Sequence, residues 1–183
     1  MWTRRRAVIA LCLLAPSALS AAQPRMFGGK QRYKRFNSAG IAFDYPDDWQ
    51  QMTVAPPMIA VFTKGAETSI TVTRERVNFP QVFNEDFAAY EAKAIPEGYP
   101  GATGIVPKSV DHGTVGKVLQ VDFKRPGITQ GGRPAPQLQL RLLAIPAATW
   151  VYRITCLAKD DEFEKRYEDL FKHMIASLVI TAS

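Results

Sequence analysis

Thr149-Trp-Val-Tyr-Arg-Ile-Thr-Cys-Leu157 reads as a strand, and the residues after it read as a helix. Along an extended chain Trp150, Tyr152, Ile154 and Cys156 share one face, opposite Val151, Arg153, Thr155 and Leu157. After Lys159 the period changes. Phe163, Tyr167, Leu170, Met174 and Leu178 form an apolar stripe at helical spacing. Asp160 or Asp161 can cap that helix, and the acids of its first turn suit the positive end of the helix dipole. An amphipathic helix leaving a strand must bury its stripe, and a sheet is the surface at hand.

Working back from this junction, the same alternation recurs at short intervals. Leu138, Leu140 and Leu142 alternate with Gln139 and Arg141 over 137–145, while Lys117, Gln120 and Asp122 interrupt Val115, Leu119, Val121 and Phe123 over 115–124. Further strands are predicted at 41–45, 58–63, 68–76 and 105–112, with a turn at Pro46-Asp47-Asp48. Phe83, Phe87, Tyr90 and Ala94 predict a helix from near Asn84 that stops by Pro96. Short turns make neighbouring strands antiparallel. One face of the sheet should be apolar and lie under the C-terminal helix. The other should carry Thr71, Thr73, Gln120, Asp122, Gln139, Arg141, Arg153 and Thr155, with the 84–95 helix as its candidate cover. The expected class is α+β: an antiparallel β-sheet flanked by helices, an α/β/α sandwich.

In this order the pieces bear a family resemblance. Gly40-Ile-Ala-Phe-Asp-Tyr-Pro-Asp-Asp-Trp49 resembles the opening of the PsbP-like superfamily, where a Gly-aromatic strand runs into Pro-x-x-Trp. Val151-Tyr-Arg-Ile-Thr-Cys-Leu-Ala158, followed by a Phe-rich helix ending in Ala176-Ser-Leu178, is similar to the C-terminus of the same family. The resemblance runs from residue 39 to about 181. It implies a central antiparallel sheet between helices. It also implies accessory or binding roles without a common catalytic site.

The chain has 183 residues, 46% hydrophobic and 22% charged, which excludes disorder, collagen, coiled coil and a disulfide scaffold. Residues 1–22 read as a signal peptide: Arg4, Arg5 and Arg6, then the apolar run Ala7–Ala15, then the small residues Ser20, Ala21 and Ala22. That apolar run is far below the roughly 20 residues a membrane span needs. The expected location is therefore the periplasm or outside the cell, by either the Sec or the twin-arginine route. Loss of Arg4–Arg6 takes the net charge from +6 to +3. Arg25, Lys30, Arg32, Lys34 and Arg35 precede the first acid, Asp44, so 23–38 reads as a basic flexible arm ahead of a single domain over 39–183. Any membrane contact should be peripheral, through that arm. From Asp44 onward acids outnumber bases, 17 to 15, and nucleic acid is not an expected partner.

Few residues invite chemistry. Asp111-His112 could be an acid orienting a base, but neighbours on a strand point to opposite faces. His173 reads as a surface or boundary residue. Cys156, alone once Cys12 leaves with the leader, shares its face with Trp150, Tyr152 and Ile154, an apolar setting that makes a thiol inert. Asp44, Asp47 and Asp48 supply too few oxygens for calcium, and Trp49 should pack over the sheet end. No phosphate-cradling glycine loop, paired-ligand spacing or nucleophile elbow occurs, so no catalytic residue, metal or cofactor is expected.

The resulting expectation is an exported, non-enzymatic binding or accessory protein whose partner is another exported protein or an acidic ligand. Its contacts would be Gln139, Arg141 and Arg153 on the polar sheet face, or Arg125 and Arg133 in the 125–136 loop, since paired arginines can grip a carboxylate or phosphate. The alternative is a small hydrolase or metal-dependent enzyme using His112 with Asp111, or Cys156.

Overall fold

The computed structural model describes residues 31–127 and 135–181. The leader over 1–22, most of the arm's glycine-containing stretch and Arg133 lie outside the described residues. The elements run β1 (Tyr33–Ser38), β2 (Ile41–Pro46), β3 (Gln50–Met52), β4 (Met58–Thr63), β5 (Ser69–Gln81), α1 (Glu85–Gly98), β6 (Thr103–His112), β7 (Gly116–Pro126) and β8 (Gln137–Lys159). They close with α2 (Asp160–Glu162), a π-helical turn (Phe163–Tyr167), α3 (Glu168–Ala176) and β9 (Val179–Ile180). Six strands form one sheet in the order β3-β4-β5-β8-β7-β6, and β1-β2-β9 form a second, small one. All the pairings are antiparallel. The α+β sandwich of antiparallel sheet and helices is the observed class.

The arm expected over 23–38 is a strand from Tyr33 onward. Phe36 supplies the reason: it is buried against Phe43 and Phe62. The basic residues that read as linker face acids across the hairpin. Arg35 lies opposite Asp44 in the register and reaches its carboxylate at 2.9 Å. The turn between the two strands places Ala39 and Gly40 at φ 53° and 79°, the left-handed geometry that suits a tight hairpin.

The 84–95 helix covers the second face of the large sheet as expected, but that face is apolar too, contrary to the expectation of one apolar and one polar face. Under the C-terminal helices lie Phe62, Ile70, Val72, Tyr152, Ile154 and Cys156, packed with Phe163, Phe171 and Met174. Under α1 lie Leu119, Val121, Phe123, Leu140 and Leu142, packed with Phe87 and Ile95. Asn84 caps α1, its side chain accepting from the Phe87 N–H at 2.8 Å, and Pro96 sits inside the last turn without ending the helix.

The two strands expected at 137–145 and 149–157 are one strand, β8, and it changes phase along its length. Leu143 and Ile145 belong to the same core as Trp150, Tyr152 and Ile154, so odd positions give way to even ones. Ala148, at φ 51°, marks the change. An extra residue in a strand swaps the faces of everything beyond it. The polar set predicted for one face is therefore divided: Gln120, Asp122, Gln139 and Arg141 lie on the side of the C-terminal helices, and Thr71, Thr73, Arg153 and Thr155 on the side of α1.

The C-terminal stripe keeps Phe163, Met174 and Leu178 buried as expected but changes in its middle. The π-helical turn adds a residue, so Phe171, Met174 and Ile175 are buried while Tyr167 and Leu170 are only half-buried. Trp49 packs edge-on to Tyr167 and Phe171, at 6.3 and 6.4 Å between ring centroids.

Candidate functional site

The C-terminal helices cover one face of the large sheet and leave one of its two edge strands, β6, uncovered on that face. Alternation puts Lys108, Val110 and His112 on the inner face of β6, in register with Gln120, Val118 and Gly116 of β7. Across from them α3 presents Glu168, Lys172, Ile175 and Ala176, residues spaced to share a helix face. Between these walls runs an open groove of about 480 Å³, lined also by Gln120 and Arg141. One end is pinned, because the Thr114 hydroxyl in the β6–β7 turn donates to the Leu178 carbonyl at 2.6 Å.

Arg141 forms the floor. Its Nε donates to Asp122 Oδ1 at 2.7 Å, its Nη1 reaches both Glu168 oxygens at 3.0 Å, and the guanidinium lies over the Phe163 ring at 5.6 Å. Burial alone would lower the Arg141 pKa, but its hydrogen bonds to Asp122 and Glu168 outweigh that and raise it. Asp122 takes further hydrogen bonds from Lys108 and Gln120, each at 3.0 Å. Burial would raise the Asp122 carboxyl, yet the bonds from Arg141 and Lys108 hold it below its ordinary value. A depressed carboxylate contributes stability that is present above its unfolded pKa and is lost as pH falls through the folded one. Asp122→Asn should therefore flatten the acid limb of the stability curve, losing less than the wild type between about pH 5 and pH 1. Urea midpoints across that range check it, and parallel curves would contradict it.

His112 stands at the pinned end. Its Nε2 is buried and has no hydrogen-bond partner among the described residues. Burial pushes the imidazole pKa below its usual value, with Asp111 opposing, so the ring is neutral at pH 7.

The sequence-predicted residues scatter. Arg141 is in the groove floor but holds two carboxylates. Arg153 is on the opposite face, donating to Glu91 at 2.6 and 2.7 Å and to Glu75 at 2.9 Å beneath α1. The two arginines therefore cannot grip one ligand together. Gln139 is half-buried beside Arg141's face, opposite Lys124 in the register. Arg125 lies at the base of its loop, and its Nε is buried with no partner among the described residues. Cys156 is fully buried, and burial pushes its thiol far up, so it offers no thiolate. Asp111 is exposed, opposite Lys117 on the other face from His112, and the acid–base pair does not form. Asp44, Asp47 and Asp48 each hold a cation, Arg35, Arg32 and Lys64. Lys108, Glu168 and Lys172 were not singled out from the sequence. Nothing local marks them, because the groove arises only when the last helix meets the outermost strand.

No family model and no curated protein matches this chain. Solved structures do. Cyanobacterial PsbP (CyanoP) from Synechocystis sp. PCC 6803 is 13% identical, with a TM-score of 0.56, over 86% of this chain and 98% of that one. LpqN of Mycobacterium tuberculosis is 15% identical, with a TM-score of 0.55, over 84% and 93%. The Ran-binding protein Mog1p of Saccharomyces cerevisiae is 12% identical, with a TM-score of 0.52, over 82% and 96%. At such identities the likeness speaks for architecture alone. The chain has the PsbP-like fold.

Proposed function

We propose that this chain is an exported, non-enzymatic binding or accessory protein whose contact site is the groove between β6 and α3. The composition of that groove carries the reading. It combines a fixed Arg141 floor, an exposed lysine on each wall and the half-buried His112 ring at its pinned end. These groups can hold a ligand. Catalysis would need a nucleophile or an oriented base within reach, whereas Cys156 is sealed in the core and Asp111 faces away from His112. Two fold neighbours are consistent with the role: Mog1p is a Ran-binding protein, and LpqN is involved in cell envelope biogenesis. The leader-like residues 1–22 support export. The partner is another exported protein or an acidic ligand.

Ala176→Trp tests the site, because Ala176 is exposed on the groove wall and an indole there fills the space without entering the core. Material co-purifying with the wild type from its own host should be lost from the variant, at an unchanged melting temperature. Equal recovery from both would contradict the groove as the contact site.

A further inference from the structure

We infer that an extended segment of a partner protein adds to the large sheet as a further strand along β6, with one apolar side chain in a cavity beside α1. The inference rests on the groove between β6 and α3 being the contact site and names the kind of partner it takes.

The open edge is the first observation. The large sheet ends in β3 on one side and in β6 on the other. β3 is three residues long, a blunt edge of the kind that resists pairing, whereas β6 runs for ten. A proline in a strand belongs where its missing N–H faces away from the neighbouring strand, so Pro107 sets the alternation. The even positions of β6 bond to β7, and Ser109 and Asp111 turn their N–H and C=O groups outward. β7 is the only strand paired with β6 among the described residues. Val106 on the same strand is 57% exposed, apolar surface that an added strand covers.

The second observation is that a cavity flanks β6 on each face. On one side lies the groove already described, walled by α3. On the other, a cavity of about 230 Å³ separates α1 from β6, and its lining includes Ala88, Ala89, Ala92, Pro107 and Leu119. Lys108 borders both, so the two lie back to back at the middle of the strand. Side chains of a strand laid along β6 point alternately to these two faces. Strand addition of this kind takes its affinity from main-chain bonds and its selectivity from pockets for alternate side chains. The alanine-lined cavity selects a compact apolar residue, and the open groove, lined by charged side chains, selects polar residues on either side of it.

A second copy of β6 is a poor occupant. Antiparallel self-pairing centred on Lys108 or Asp111 sets like charges directly opposite each other. Centred on Pro107, it opposes two residues that both lack a donor. Centred on Ser109 or Val110, it brings the Asp111 carboxylate beside the alanine-lined cavity. A segment from another protein is under none of these constraints.

The test is a capped octapeptide alternating leucine and glutamine, titrated into the purified protein and followed by amide hydrogen exchange. Bound peptide should slow exchange at Ser109 and Asp111 roughly tenfold and leave Lys108 and Val110, already bonded to β7, unchanged. Ala89→Trp, which fills the cavity from an exposed position on α1, should weaken binding roughly tenfold, and N-methylation of all the peptide amides should abolish it. No slowing at Ser109 and Asp111, or undiminished affinity for the N-methylated peptide or in the Ala89→Trp variant, would overturn the inference. Slowing that depends on protein concentration without peptide would also overturn it, by assigning the edge to a second copy. In each of these cases, loss of co-purified material from Ala176→Trp would still stand for the groove as a contact site.

Discussion

Arg153→Ala should cost about 3–5 kcal/mol, a large part of the stability of a domain this size. Glu91 is only 4% exposed beneath α1, and Arg153 is its charged partner, through two hydrogen bonds of 2.6 and 2.7 Å. Burial lowers the arginine's pKa and the bonds to Glu91 more than reverse it, so the guanidinium is held well above its ordinary range. Truncation leaves a buried carboxylate with no counter-charge. Removing both charges is far milder, because the desolvation of each ion disappears with it. Arg153→Met combined with Glu91→Leu should therefore recover most of the loss. Urea unfolding at pH 7 distinguishes the two. A loss below about 1 kcal/mol for the single variant would mean that the pair behaves as a surface one.

Phe171→Ala should cost a similar amount, about 3–5 kcal/mol, and Leu170→Ala clearly less. Phe171 is fully buried, with its ring centroid 5.3 Å from that of Phe163 and 6.0 Å from that of Tyr167. Leu170 is half-buried at the edge of the same cluster. An uninterrupted α-helix would reverse the order, since helical spacing from Phe163 and Tyr167 places Leu170 in the stripe. The two variants measure whether the π-helical turn shifts the phase of the helix in solution. Equal losses, or a larger one at Leu170, would contradict it.

Periodicity made β2, the strands β4 to β8, both long helical segments and the antiparallel sandwich legible, because burial of alternate residues is written into local sequence. Cys156 could be read as sealed for the same reason. Phase could not be carried across an irregularity. Counting by twos from Arg141 to Arg153 puts both on one face, and only a backbone feature at Ala148 divides them. The same limit applied to Leu170 and Phe171 across the π-helical turn. β1 reads as linker because its single buried anchor, Phe36, sits among basic residues whose partners across the hairpin begin only at Asp44. The groove was the least legible feature. Its lysines are ordinary surface residues until β6 and α3 are brought together by strand order, and strand order leaves no local pattern.

The groove has its charge because β8 carries an extra residue at Ala148, which turns Arg141 toward the C-terminal helices and Arg153 toward α1. Side-chain nuclear Overhauser contacts in uniformly labelled protein at neutral pH report that geometry. Contacts from Arg141 to the Phe163 ring and from Arg153 to the Glu91 side chain are predicted. Contacts from both arginines to the same helix would contradict the division of the sheet faces, and with it the groove.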